Sequence, residues 1–268
     1  MIASADAAQS NWALVTGASS GIGAAICKEL AKAGWRLILV ARDEVRLRAI
    51  GDDCARRYNI EYRVITSDLA RPDGAAKLAE RLAAENLSVS ILVNNAGFGV
   101  HGAFNETDTD RELELVNVQV RALIVLTKAL LPRMLASKDG MILNVASVYS
   151  FAPVRNQTVY AACKAFMLSF SESLAEELRG TGVSVTVLCP GITRTEFRTR
   201  SGMAEKKSRL AMSAEEVAAI GCRAMFRRKF LSVPGTLNSV YVLASKMLPR
   251  TLIASFTRRL NSRRGLEK

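Results

Sequence analysis

The stretch WALVTGASSGIGAAICKEL, residues 12–30, joins three unlike patterns. Residues 12–15 are a short apolar run of the kind that forms a buried strand. Gly17, Gly21 and Gly23 follow at a four-then-two spacing, after which Ile22, Ile26 and Leu30 recur every fourth residue as one face of a helix that Gly34 stops. Strand, glycine-rich turn and helix in that order open a parallel sheet, because parallel neighbours need a long crossover and a helix is its usual form.

The alternation continues to the end of the domain. Apolar runs at 36–41, 62–66, 89–94, 141–146 and 183–189 have the length and Val/Ile/Leu content of strands buried on both faces. Between them lie helical periodicities; Leu113, Val116, Val120, Leu123 and Leu130 line a long helix expected to end near Pro132. Right-handed strand–helix–strand units give an α/β, doubly wound parallel sheet covered on both faces. No linker or repeat divides it. The reading is one domain over 1–237, with a tail at 1–10 and a polar, basic lid at 196–212 closed by a capping box in "SAEE" at 213–216. Residues 238–268 form a basic extension.

Composition narrows the function classes. With 268 residues, 49% of them hydrophobic, the chain can bury a full core. Cys27, Cys54, Cys163, Cys189 and Cys222 show no CxxC spacing, which argues against a zinc site or a disulfide framework and for a reducing cytoplasm. The first ten residues lack the pattern of a secretory signal, and no segment offers about 18 uncharged apolar residues for a membrane span. A single histidine, His101, leaves little material for a metal cage, and no metal is expected. The formal charge is +12, much of it late in the chain, without the aromatic platform of a nucleic-acid binder.

In a doubly wound sheet the first strand-to-helix turn is the usual phosphate cradle. Gly17, Ser19, Ser20, Gly21, Ile22 and Gly23 occupy it, with glycines for close backbone approach and amides and hydroxyls as donors. The second strand ends in "ILVAR". Ala41 stands where an acidic residue would hold a ribose 2′-hydroxyl and Arg42 follows, favouring a 2′-phosphate and hence NADP(H). Farther on, "YAACK" sets Tyr160 and Lys164 on one helical face, and Ser147 ends the strand "MILNVAS". An ammonium one turn from a phenol is expected to lower its pKa towards neutrality and suit it to proton exchange.

Together these residues resemble the short-chain dehydrogenase/reductase family, whose domain is a single Rossmann-type sheet. The resemblance covers about residues 11–235 and extends to Asp68 and Leu69, to Asn95, Ala96 and Gly97 in "NNAG", and to Pro190, Gly191, Thr193 and Thr195 in "PGITRT". It implies interconversion of a ketone or aldehyde and an alcohol. Tyr160 would exchange the proton, Ser147 would orient the oxygen, and Lys164 would hold the nicotinamide ribose. Two departures stand out. Gln119 occupies the slot of the family's catalytic asparagine, with Asn117 rotated about 200° away on an α-helix, and Thr193 stands where valine is frequent. The resemblance also implies a homodimer or homotetramer. A second class, a cofactor-binding regulatory or membrane-associated protein with little turnover, stays open.

Substrate choice is expected in the loop "GFGVHG" at 97–102, which contains His101, and in residues 195–212. Arg194, just before it, and Arg198 and Arg200 within it either meet an anionic, acyl-type or lipid-like substrate or are solvated. From residue 241, Leu248, Leu252, Phe256 and Leu260 recur every fourth position among arginines as a basic amphipathic helix. Packing on the domain or a sister subunit, peripheral membrane contact and a solvated extension are the readings left open.

Overall fold

The structure, a computed structural model, describes residues 12–202, 211–249 and 252–253. Strand β1 (Trp12–Thr16) is followed by α1 (Gly21–Lys32), β2 (Arg36–Ala41), α2 (Glu44–Tyr58), β3 (Tyr62–Thr66), α3 (Gly74–Ala84) and β4 (Val89–Asn94). The second half runs through α4 (Thr109–Val116), a π-helical turn (Asn117–Arg121), α5 (Ala122–Ser137), β5 (Gly140–Val145), α6 (Thr158–Glu177) and β6 (Val183–Leu188). It closes with β7 (Thr193–Arg194), α7 (Phe197–Arg200), β8 (Met212–Ser213), α8 (Ala214–Phe226), β9 (Leu231–Ser232) and α9 (Thr236–Met247).

Seven parallel strands form the order β3-β2-β1-β4-β5-β6-β9. The fold is therefore a doubly wound Rossmann-type sheet. One face packs on α1, α2 and α8, and the other on α3, α5 and α6. The strand order reverses between β1 and β4, which opens a crevice at their carboxyl ends.

Several elements differ from the sequence reading for physical reasons. The long helix does not end at Pro132 but runs on to Ser137. Pro132 is exposed, whereas Met134 beyond it is 1% exposed and fills the space over Gly140. That burial offsets the roughly 3 kcal/mol penalty of an interior proline. Leu113, expected on the buried stripe, faces solvent. By length and composition the continuous helix Thr109–Ser137 could cross a membrane, but Ala122, Leu123, Leu126, Leu130 and Met134 are core residues of this domain. The strands near 141–146 and 183–189 are Gly140–Val145 and Val183–Leu188, and the two-residue β9 carries too little sequence to show a period. The late helix starts at Thr236 and stops at Met247, because Leu248 is extended before Pro249; Phe256 and Leu260 lie outside the described residues.

Candidate active site

The glycine turn is shaped by its neighbours as much as by its own conformation. Gly17 and Gly21 have φ of +65° and +55°, a region that glycine enters without penalty. Gly23 has no such φ, yet a Cβ there would lie 2.2 Å from the Gly17 carbonyl oxygen and 2.4 Å from Asn95 Nδ2. Its constraint is packing. Asn95 Nδ2 donates to the carbonyl oxygens of Thr16 (2.9 Å) and Gly17 (3.2 Å), and Thr16 Oγ1 accepts from the amides of Asn95 (3.0 Å) and Ala96 (3.1 Å). The ends of β1 and β4 are thereby braced under the turn. Composition offered no sign of Thr16, because its role depends on a strand 77 residues away.

One cleft gathers residues from both halves of the chain. Gly17, Ser19, Ser20, Gly21 and Ile22 line one end, and Ser147, Tyr160 and Lys164 line the other, with Asn95, Gly97, Pro190, Gly191, Thr193 and Thr195 between them. Arg42 and Asp68 are not in its wall. They follow β2 and β3 beyond the glycine turn, Arg42 exposed and Asp68 accepting from the Ala70 amide (3.1 Å). Leu69 and Ala96 sit beneath the cleft with Gln119, around a small void.

The two segments expected to flank the substrate meet over this site. The Gly99 amide donates to Ser201 Oγ (3.0 Å), which donates to the Phe197 carbonyl (2.8 Å), while Phe98 and Phe197 line the cleft. The Ser213–Glu216 capping box is formed. Arg194 donates to the Ala211 carbonyl (2.8 Å), and the side chains of Arg198 and Arg200 lie outside the described ones. His101 is half-buried in the loop after β4. Residues 203–210 of the expected lid fall outside the description.

The reactive end is nearly dry. Tyr160 is 7% exposed, hydrogen-bonds Ser147, and packs against Tyr149 and Phe197 at ring-centroid distances of 6.5 and 5.5 Å. Lys164 Nζ donates to the Val145 carbonyl at the end of β5 (2.8 Å) and lies 5.6 Å from the Tyr160 ring centroid. Burial pushes the phenol above its ordinary pKa, with Tyr149 adding to the rise and the Ser147 hydrogen bond opposing it. This corrects the expectation that Lys164 draws Tyr160 towards neutrality. Burial also pushes the lysine down to about 8, so the cation that was to act on the phenol is itself easily discharged. A neutral buried phenol is a proton donor.

Gln119 is fully buried on the π turn. Its Nε2 donates to the Phe98 carbonyl (2.7 Å), while its Oε1 has no partner among the described protein atoms. Asn117 donates to the Ala70 carbonyl (2.9 Å) instead, away from Tyr160. Behind the site, Asn94 Nδ2 donates to Asn144 Oδ1 (2.9 Å) and Asn144 Nδ2 to Ser171 Oγ (2.8 Å), tying β4 and β5 to the helix that carries Tyr160 and Lys164. Asn238, from α9, also lines the cleft, close enough that a Cβ on Gly191 would lie 2.4 Å from its Oδ1. Asn94 opens the "NNAG" motif, but its partners Asn144 and Ser171, and Asn238, belong to no local motif that sequence reading could isolate.

Comparison with known proteins places this arrangement. The profile of the family described as short chain dehydrogenase matches residues 11–206. The chain belongs to the short-chain dehydrogenase family. A short chain dehydrogenase of Pseudocercospora fijiensis is 39% identical over 70% of this chain, which spans 62% of that protein's length. The very-long-chain 3-oxoacyl-CoA reductase of Rattus norvegicus is 30% identical over 85% of this chain and 75% of its own. Among solved structures, a short-chain dehydrogenase from Sphingobium yanoikuyae in complex with NADPH is 32% identical, with a TM-score of 0.80, covering 96% of this chain and 94% of that one. The cradle in this short-chain dehydrogenase fits a nicotinamide dinucleotide, since two positive-φ glycines and the N-terminus of α1 open directly into the cleft.

Proposed function

We propose that this short-chain dehydrogenase interconverts a ketone or aldehyde and an alcohol with NADP(H). The observation that carries the reading is the shared cleft, which sets the glycine cradle at one end and a buried Ser147–Tyr160 pair at the other. Gly17, Ser19, Ser20, Gly21 and Ile22 would hold the pyrophosphate, and Arg42 the 2′-phosphate. Lys164 would bind the nicotinamide ribose, and residues 190–195 would meet the carboxamide. When bound, the cofactor supplies the hydride.

The protein's own part is the proton. Ser147 Oγ accepts from the Tyr149 amide (3.1 Å), which fixes its orientation, and its hydroxyl bonds Tyr160, so a bound substrate oxygen would take over that hydroxyl's donation. Tyr160 Oη holds a proton at neutral pH and releases it to that oxygen as negative charge develops there. Phe98, Phe197 and Tyr149 keep water from the exchange. The reading is tested by NADPH consumption across ketones, aldehydes and 3-ketoacyl thioesters; turnover with one class supports it, and none with any class refutes it. A second reading, a cofactor-binding protein with little turnover, draws on the Gln119 amide being committed to Phe98. That reading predicts NADPH binding with a blank screen.

A further inference from the structure

Helix α9 has two unlike faces. Val242 is 5% exposed, and the helix packs on the turn Val148–Phe151 that follows Ser147, with Lys246 Nζ 5.6 Å from the Phe151 ring centroid. Leu237, Val240, Leu243 and Met247 are 63%, 64%, 60% and 76% exposed. At about 100° per residue these four fall within an arc of about 120° on the side away from Val242. Leu248 and Leu252 extend the patch to six of the eleven large hydrophobic residues exposed among the described ones. A single exposed leucine is ordinary; a contiguous stripe on one helix marks a contact surface.

Charge identifies the partner. From Thr236 to Lys268 the sequence carries seven cations, Lys246, Arg250, Arg258, Arg259, Arg263, Arg264 and Lys268, and one acid, Glu267. An anionic surface with an apolar interior complements both features, because headgroups meet the cations and acyl chains meet the stripe.

We propose that α9 docks this protein on an anionic lipid bilayer, lying in the interface with Leu237, Val240, Leu243 and Met247 in the acyl boundary. Asn238 lines the cleft from the opposite face of the same helix, so α9 stands between the stripe and the site. The proposal does not depend on what the cleft reduces.

The test is co-sedimentation of the full chain with phosphatidylcholine vesicles and with phosphatidylcholine–phosphatidylserine vesicles. A parallel measurement uses Leu243→Asp/Met247→Asp, which alters side chains that already face solvent. The wild-type chain is expected to partition at least about tenfold more onto the anionic vesicles than onto neutral ones, and the variant is expected to stay in the supernatant with an unchanged melting temperature. Equal recovery of the wild-type chain with the two lipids overturns the proposal, as does a folded variant that still pellets. A wild-type oligomer that the variant dissolves, seen by sedimentation velocity without vesicle partitioning, gives the face to a second copy and also overturns it. The comparison of lipids on the unaltered chain stands even if the variant fails to fold.

Discussion

Tyr160 can give up its proton in a dry pocket only if something compensates the phenolate it leaves. The nearest cation is Lys164, and burial sets its pKa at about 8. Below that value the ammonium is present and stabilises the phenolate; above it the lysine is neutral and proton release becomes harder. The kcat/KM for carbonyl reduction should therefore fall as pH rises through about 8. In Lys164→Arg the falling limb should move to higher pH, because guanidinium keeps its charge. A pH–rate profile of both proteins measures this, and an unmoved limb in the variant would assign the titration elsewhere. The residue types at this site were legible in the sequence because Tyr160 and Lys164 are local neighbours on a helix. The direction of the phenol's shift was not, since burial by Tyr149 and Phe197 is a tertiary property.

At the scale of elements, the glycine turn and the π turn each hold a loop against a strand end. Gly23→Ala would drive a methyl into the Gly17 carbonyl and Asn95. It should cost roughly 1–3 kcal/mol of stability and weaken NADPH binding through the displaced turn; thermal melting and fluorescence titration of NADPH report the two effects. Gln119→Ala removes the support of the Phe98 carbonyl and opens a buried hole, for an expected loss of about 2–4 kcal/mol. If Gln119 served only a proton relay, the melting temperature would stay put while kcat fell. The glycine spacing, the strand–turn–helix order and the Ser213–Glu216 cap could be read from the chain because each is a short-range pattern. The end of the long helix could not, because the burial of Met134 overrides Pro132. The Asn94–Asn144–Ser171 ladder was equally hidden, since its members are brought together only by the register of β4 with β5 and the packing of α6.

Across the whole molecule, the sheet order carries Arg42 after β2 and Ser147 after β5 on opposite sides of the β1–β4 switch, so under the proposed function recognition of the cofactor and chemistry on the substrate should separate cleanly by mutation. Arg42→Ala should lower the ratio of kcat/KM for NADPH over NADH by about tenfold or more, with turnover on NADH largely kept. An unchanged ratio would remove Arg42 from the 2′-phosphate site. Tyr160→Phe probes the chemistry, removing only the proton donor from a ring that stays packed on Tyr149 and Phe197. Substrate-dependent oxidation of NADPH, measured beside NADPH affinity in wild type and Tyr160→Phe, is the most direct test of the proposed chemistry. The account predicts a fall in kcat of about 10²–10⁴ with NADPH affinity nearly unchanged. Comparable turnover by the two proteins would contradict it.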